Sequence, residues 1–316
     1  MADFVTPQHI ARRTSAAVEA AVGAGRDLGL AVTDAAVLHD LFSVVVHLAP
    51  SPVVARIPVV LPHNTGLDSL KHRQQAELGV TRWLADRGTP VIPPSSLVPR
   101  KPVQRNGFSM TFWQFVEEDR DEETDYVTNS EIVADLHAAM RAYPGRLSFL
   151  SAAEPRFITE SLALLEERPD LIGPADLDRA RREWPIVEPL VRSRAAFDEA
   201  FPGIELQPIH GDSPPANIFS GVDGSLYSDF ELVTLGPVEW DLAALGPALE
   251  SAYNRGAQRN GMRPLNEDVL RFVNAVGMLR AIASLSLAPQ LPQLVEYLKP
   301  AVDQWQTMPF AGGMAD

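Results

Sequence analysis

No cysteine occurs among the 316 residues. Disulfides, thiolate nucleophiles and cysteine-ligated metals are therefore excluded, and any metal must be held by oxygen or imidazole. Positive charge is also scarce: 27 Lys and Arg face 41 Asp and Glu, a net charge of −14. That balance disfavours a nucleic-acid backbone or an anionic lipid as the main partner and would welcome a cationic substrate. No apolar run is expected to approach the roughly 18 residues of a membrane span. The first thirty residues read as an Ala-rich helix and lack the basic-then-apolar order of a signal peptide. The expectation is a cytoplasmic protein, monomer or homodimer, with neither nucleic acid nor membrane as partner. What is present is apolar material, 46% of residues, enough for one large core or two lobes.

After the first helix come three β-branched runs, AAVLH, SVVVHLA and PVVARIPVV, with turn residues at Asp40 and from Pro50 to Pro52. That is the pattern of an antiparallel meander. Asp68 is the expected N-cap of SLKHRQQAELGVTRWLADRG, a helix stopping at Gly88. Two further apolar segments follow, PVIPPSSLVP and the aromatic, strand-like GFSMTFWQFVEED. Together these make a small α+β lobe, 1–116. From Asn129 onward the pattern turns helical, with Asn129 as the expected cap of NSEIVADLHAAMRAY and Pro144-Gly145 as its end. Helices are expected at about 155–168 and 174–200, the second bent or broken at Pro185. Three more segments, VEWDLAALGPALESAY, EDVLRFVNAVGMLRAIASLSL and LPQLVEYLKPAVDQW, complete a larger lobe, 117–316. Strand character interrupts that lobe once, in PIHGDSPPANIFSGVDGSLYSDFE.

This interruption concentrates polar chemistry. If Asp223-Gly224 is the two-residue turn of a hairpin, facing residues sum to about 447 and Asn217 lies opposite Asp229 or Phe230. An amide oxygen and a carboxylate so placed could converge on one hard cation such as Mg²⁺, which takes oxygen ligands. Asp212, on the loop after IELQPIH, adds a carboxylate able to orient an attacking hydroxyl and accept its proton.

His210-Gly211-Asp212, then Asn217, Asp229, Gly236 and Glu239-Trp240-Asp241-Leu242-Ala243, resemble in order and spacing the catalytic core of the aminoglycoside phosphotransferase family. These are small-molecule kinases with a protein-kinase-like fold. The resemblance covers about residues 30–250. It implies a bilobal α+β architecture, with a small antiparallel β N-lobe carrying one helix and a larger, mainly helical C-lobe. ATP and Mg²⁺ are the implied cofactors, with the nucleotide between the lobes. Asp212 is the implied catalytic residue, and Asn217 and Asp229 the implied metal ligands. Arg56 in VVARIPVV matches the strand-borne phosphate-binding cation, and Glu77 in HRQQAELG matches its acidic partner. Met110 to Glu117 falls where the hinge receives adenine, with Gln114 and Val116 as its contacts, and Leu136-His137 matches a family helix.

Two departures stand out. The expected Lys is Arg56, always charged and able to hold phosphate oxygens bidentately. The turn HDLFSV contains no glycine, so its backbone cannot approach phosphates as a Gly-rich loop does, and Ser43 is left to offer a hydroxyl or amide.

Structural roles compete with chemical ones. Asp223-Gly224 is a turn without chemistry. His210 braces the loop. Asp241 either caps LAALGPALE or orients the catalytic loop. His137 reads as a satisfied, partly buried histidine, and the five Trp as core or interface material. Glu231 shares an extended face with Asp229, which suits a metal or substrate contact as well as a solvated acid. The implied reaction moves the γ-phosphate of ATP to a hydroxyl of a small, cationic acceptor, an aminoglycoside-like antibiotic or amino sugar. A choline-like or homoserine-like acceptor is the nearest variant. Glu250, Glu267 and Asp268 are candidates to line the acceptor site. Two other readings are a nucleotide-poor pseudokinase scaffold and a Mg-dependent phosphohydrolase, the latter needing neither Arg56, Glu77 nor the hinge.

Overall fold

The computed structural model describes residues 4–63, 65–119 and 123–314. They fall into two compact units. Of the described residues, the smaller holds those from Phe4 to Glu123 together with Phe219–Glu231; the larger holds Thr124–Ile218 and those from Leu232 to Met314.

In the smaller unit, α1 (Pro7–Asp27), β1 (Ala36–Asp40), β2 (Ser43–His47), β3 (Val53–Pro58), α2 (Leu67–Ala85), β4 (Val103–Arg105) and β5 (Phe108–Gln114) follow in order. The strands form one sheet of order β1-β2-β3-β5-β4, antiparallel at every pairing. Period-two alternation sorts their side chains into two layers. Val44, Val46, Val53, Ala55, Ile57, Met110 and Phe112 share a core with Ala17, Ala20, Ala21 and Ala24 of α1. An alanine stripe lets the helix backbone lie close to the sheet. On the opposite face Val45, Val54 and Trp113 meet Leu78 of α2. Arg56 pairs in register with Val45 and Thr111, which puts it on this second face with α2.

Asp40 closes β1 rather than merely turning the chain: its carboxylate accepts from Thr14 Oγ1 at 2.5 Å and from Arg13 at 3.4 Å. Helix α2 begins at Leu67 behind Gly66, so Asp68 sits in the first turn and not at the cap. There its charge still complements the positive end of the helix dipole.

The larger unit contains α3 (Tyr126–Met140), α4 (Pro155–Leu164), α5 (Pro174–Arg192), α6 (Arg194–Ala200) and β6 (Gln207–Ile209). After the hairpin of β7 (Ile218–Gly221) and β8 (Gly224–Tyr227), it continues with β9 (Thr234–Gly236), α7 (Pro247–Arg259), α8 (Glu267–Ser284) and α9 (Leu294–Thr307). Strand β6 pairs antiparallel with β9.

Three sequence expectations are corrected here. Asp125, not Asn129, caps α3, accepting from the amides of Val127 and Thr128 at 3.0 and 3.1 Å. Helix α5 runs through Pro185 and Pro189 and ends at Arg192; Ser193 then caps α6. The buried Trp184 and Val187 flank Pro185 and hold the helix against the loss of one backbone bond. The third concerns apolar runs: Glu267–Leu287, which includes α8, is long and apolar enough to cross a membrane. It is nevertheless mostly buried, with 67% of its 18-residue apolar stretch inside the protein, where α8 packs on α4, α5 and α9.

The hairpin turn is also shifted. Strand β7 ends at Gly221 and β8 starts at Gly224, so Val222 and Asp223 form the turn, one residue before the expected Asp223-Gly224. A third segment sets this register: the amide of Asp119 donates to Ser220 O at 2.8 Å and that of Val222 to Glu117 O at 3.1 Å. Asn217 precedes β7 and Asp229 follows β8, so neither belongs to a hairpin strand.

Candidate active site

In the larger unit, β6 delivers the chain to His210, Gly211 and Asp212, after which a 3-10 turn, Pro214–Ala216, leads to Asn217. His210 is fully buried and Asp212 half-buried. The loop is held from within and from behind. From within, the amide of Asp212 donates to His210 Nδ1 at 3.3 Å, and Asn217 Nδ2 donates to the carbonyl of Asp212 at 2.6 Å. From behind, the amides of His210 and Gly211 both donate to the carboxylate of Asp241, at 2.9 and 2.7 Å. Trp240 Nε1 donates to Gly211 O at 2.9 Å. A carboxylate bound by two adjacent amides pins two peptide planes at once, and charge-assisted bonds of this kind are about twice as strong as neutral ones.

Asp241 is itself fixed. His137, wholly buried on α3, bonds Asp241 Oδ2 through Nε2 at 2.9 Å and Tyr253 Oη through Nδ1 at 2.8 Å. Burial, with Glu239 and Asp241 nearby, pushes the Tyr253 phenol well above its ordinary range, so it stays protonated. Of the two roles weighed for Asp241, the structure selects loop orientation, since α7 has Gly246 at its N-cap. Glu239, also fully buried, ties the next connection by accepting from Arg263 at 2.5 and 3.0 Å and from the amide of Asn266 at 2.7 Å. Tyr253 and Arg263 escaped sequence reasoning, and Trp240 was read there as part of the Glu239-Trp240-Asp241 run and as core or interface material, not as a donor to the loop. Asn129, displaced from its expected cap, instead donates to Pro215 O at 3.0 Å and so steadies the same loop.

Gly211 shows why this turn admits no side chain. Its φ is +91°, and a Cβ there would stand 2.0 Å from the carbonyl oxygen of Leu232. Gly211→Ala is expected to destabilise the protein by about 2–3 kcal/mol, from positive-φ strain and overpacking against backbone. Thermal unfolding measures it, and catalytic turnover should fall further than stability alone explains.

In the smaller unit, a second constellation forms around Arg56. Its Nη2 donates to both carboxylate oxygens of Glu77, at 2.9 and 2.8 Å, and lies 3.3 Å from Glu231. Its Nη1 donates to Asp229. Arg56 is 12% exposed and Glu77 1%, whereas Asp229 and Glu231 are 39% and 30% exposed. The buried pair thus faces two wetter acids. Asp229 sits at φ +59°, a left-handed conformation that Asp tolerates better than most residues.

Three carboxylates against one guanidinium leave this cluster short of positive charge. Burial pushes the Glu77 carboxyl up to about 8, and Asp229 and Glu231 add to the rise against the pull of Arg56. Burial also opposes the charge on Arg56, but the three acids outweigh it and hold the guanidinium firmly protonated.

Among the described residues no group of three or more His, Asp or Glu is arranged to hold a metal ion. The donor set nevertheless suits a divalent hard cation: carboxylate oxygens in excess of their counter-ion, the ligand type Mg²⁺ takes. Asn217 lies in the larger unit and Asp229 in the smaller. Of the nucleotide candidates, Ser43 shares the sheet face of Val45 and Arg56, while Gln114 is exposed at the end of β5 and Val116 half-buried beyond it. The glycine-free turn before Ser43 is anchored, because the amides of Val59 and Val60 donate to Phe42 O at 2.9 and 3.1 Å.

No protein-family model matches the chain. No curated protein matches it either. Solved structures do match. An amicoumacin kinase, hAmiN, in complex with AMP-PNP, Ca²⁺ and Ami, superimposes with a TM-score of 0.60 at 14% identity, covering 95% of this chain and 96% of its own. A spectinomycin phosphotransferase in complex with ADP and spectinomycin gives 0.58 at 12% identity, over 94% and 98%. The choline kinase LicA from Streptococcus pneumoniae gives 0.53 at 15% identity, over 89% and 98%. The chain has the protein-kinase-like fold of the aminoglycoside phosphotransferases and related small-molecule kinases.

Proposed function

We propose that the protein is a cytoplasmic, ATP-dependent phosphotransferase that moves the γ-phosphate to a hydroxyl of a small, cationic acceptor. An aminoglycoside-like antibiotic or an amino sugar is the favoured class. The observation that carries this reading is the catalytic-loop geometry: Asp241 clamps the amides of His210 and Gly211, and Asn217 clamps the carbonyl of Asp212. Such a loop presents one half-buried carboxylate, Asp212, in a fixed attitude, as a residue that aligns a hydroxyl and takes its proton must be. Asn217 and Asp229 are the cation ligands in this reading, with Glu231 beside Asp229. Mg²⁺, when bound, supplies charge neutralisation for the phosphates. Arg56, held by Glu77, supplies a cation for the phosphate oxygens, and Ser43, Gln114 and Val116 contact the nucleotide. Catalysis of this kind is positioning and charge stabilisation rather than covalent chemistry.

The net charge of −14 supports a cationic acceptor. The fold neighbours that phosphorylate basic or amino-bearing molecules, an aminopropanol kinase among them, point the same way. The test is a panel of aminoglycosides, other basic antibiotics, amino sugars and amino alcohols, assayed for acceptor-dependent ADP release and product mass. One acceptor gaining 80 Da, the mass of a phosphoryl group, is the expected outcome, about tenfold or more above background ATP hydrolysis. ATP consumption that no acceptor accelerates would favour a phosphohydrolase, and no Mg-ATP binding by calorimetry would favour a scaffold.

A further inference from the structure

The Arg56 cluster has a property that its separate roles do not explain. The residue proposed to grip phosphate is bonded to the residue proposed to ligate the cation. Asp229 and Glu231 both bring carboxylate oxygens to one guanidinium, and Glu77 fixes that guanidinium from the other side. The anchoring is uneven. The Glu77 contact is a pair of bonds to an almost wholly buried acid, whereas Asp229 and Glu231 are over a quarter exposed and open to exchange. The guanidinium also keeps an unmet demand: Arg56 Nε is buried and has no hydrogen-bond acceptor among the described residues. A buried N–H without a partner carries its full desolvation penalty, so the resting position is not the one that satisfies Arg56 best.

We infer that Arg56 is the resting counter-ion of the cation site, so that a divalent cation reaches Asp229 and Glu231 only by displacing it. This rests on the phosphotransferase reading of the same residues. A cation arriving alone must compete with a tethered positive charge already seated on its ligands. A nucleotide offers phosphate oxygens as new partners for the guanidinium, Nε–H included, and draws it off the two acids while Glu77 retains its hold. Cation and nucleotide then bind as a coupled pair, each tightening the other, by the reciprocity that linkage requires. Arginine suits this exchange better than lysine, because its planar fork can bridge Glu77 and Asp229 through different nitrogens whereas an ammonium is a single point. No covalent step is involved; ion pairs are traded.

The test uses the full chain and Mn²⁺, whose free fraction is read by electron paramagnetic resonance without any turnover. Asp229→Asn sets the background from other acids on this negatively charged protein. Wild type with Mn²⁺ alone is expected to bind barely above that background. Arg56→Gln, lacking the tethered charge, is expected to bind Mn²⁺ alone roughly tenfold more tightly than wild type, within the range typical of coupled sites. With a non-hydrolysable ATP analogue present, wild type should recover tight Mn²⁺ binding, and the gain on adding nucleotide should be smaller in the variant than in wild type. Circular dichroism establishes that Arg56→Gln is folded. Should it not fold, Arg56→Lys serves: an ammonium lacks the planar fork that engages Glu77 and Asp229 through separate nitrogens, so its hold on the two acids should be weaker and Mn²⁺ affinity should again rise, by a smaller factor. Mn²⁺ affinity unchanged in a folded Arg56 variant, with Mn²⁺ and nucleotide still binding wild type, overturns this inference alone. Absence of Mn²⁺–nucleotide binding above the Asp229→Asn background in every protein overturns both it and the phosphotransferase reading.

Discussion

Asp212→Ala is expected to lower phosphoryl transfer by about a thousandfold, in the range of a lost general base, with little change in unfolding temperature. The reasoning separates the two readouts. The loop is held by backbone groups of His210, Gly211 and Asp212 bonded to Asp241, Trp240 and Asn217. Each of these bonds survives the loss of the Asp212 side chain. Asp212 is only half-buried, so truncation opens no large cavity. A rate assay on the best acceptor, beside a thermal melt of both proteins, checks the prediction. Turnover at the wild-type rate would remove Asp212 from the mechanism. Mg-ATP affinity should change little, because in the proposed mechanism Asp212 acts on the acceptor.

Arg56→Met is expected to cost about 3–5 kcal/mol of stability, the range for breaking a buried ion pair by removing one partner. The loss arises less from the bonds of Arg56 than from what is left behind: Glu77, 1% exposed, would keep two other acids near it and lose its cation. The effect should depend on pH in a definite direction. The Glu77 carboxyl is already raised from 4.5 to about 8, with Arg56 the influence holding it down. Removing Arg56 raises it further. A carboxyl whose folded value exceeds its unfolded one contributes stability that is complete below the unfolded value and is lost as pH climbs through the folded value. Both proteins lose this stability alike up to the wild-type value of about 8, so the penalty of Arg56→Met should be level and smallest near about pH 6 and grow only above about pH 8, towards about pH 9.5. Urea denaturation midpoints at the lowest and highest of these pH values measure it. Arg56→Met combined with Glu77→Leu should recover most of the stability, since replacing both charges leaves no unpaired acid. Phosphoryl transfer should stay lost in both, which separates the structural duty of the pair from its proposed chemical one.

Local signals were legible in the sequence where one physical cause dominates. The alternation of SVVVH and VVARIP sets the two faces of the sheet, and Arg56 stands out in it because a charge interrupts an apolar strand. Helix termini were less legible, because several residues near each end have capping chemistry and only packing selects among them. Asp125 and Asn129 are both competent caps; Asn129 is drawn to the carbonyl of Pro215, far away in sequence, which leaves Asp125 as the cap. Asp223-Gly224 has the composition of a two-residue turn, yet pairing of the hairpin with the segment around Glu117 and Asp119 moves the turn to Val222-Asp223. Register in a short hairpin is weakly specified by its own residues, and a third strand-like partner decides it.

By itself, the sequence determined which chemistry is available. It excludes thiolates, supplies Asp212, Asn217, Asp229, Arg56 and Glu77 in a kinase-like order, and gives the protein an acidic surface charge. These are properties of residue type and spacing, which a linear chain carries unaided. Only the tertiary structure decided who bonds to whom. It made Asp241 the clamp on two loop amides, set His137 and Tyr253 behind it, and seated Arg56 on Glu77, Asp229 and Glu231. Partners such as Arg56 and Asp229 lie far apart along the chain. Their pairing depends on burial and on the sum of nearby charges, quantities that come into existence only when distant segments pack together.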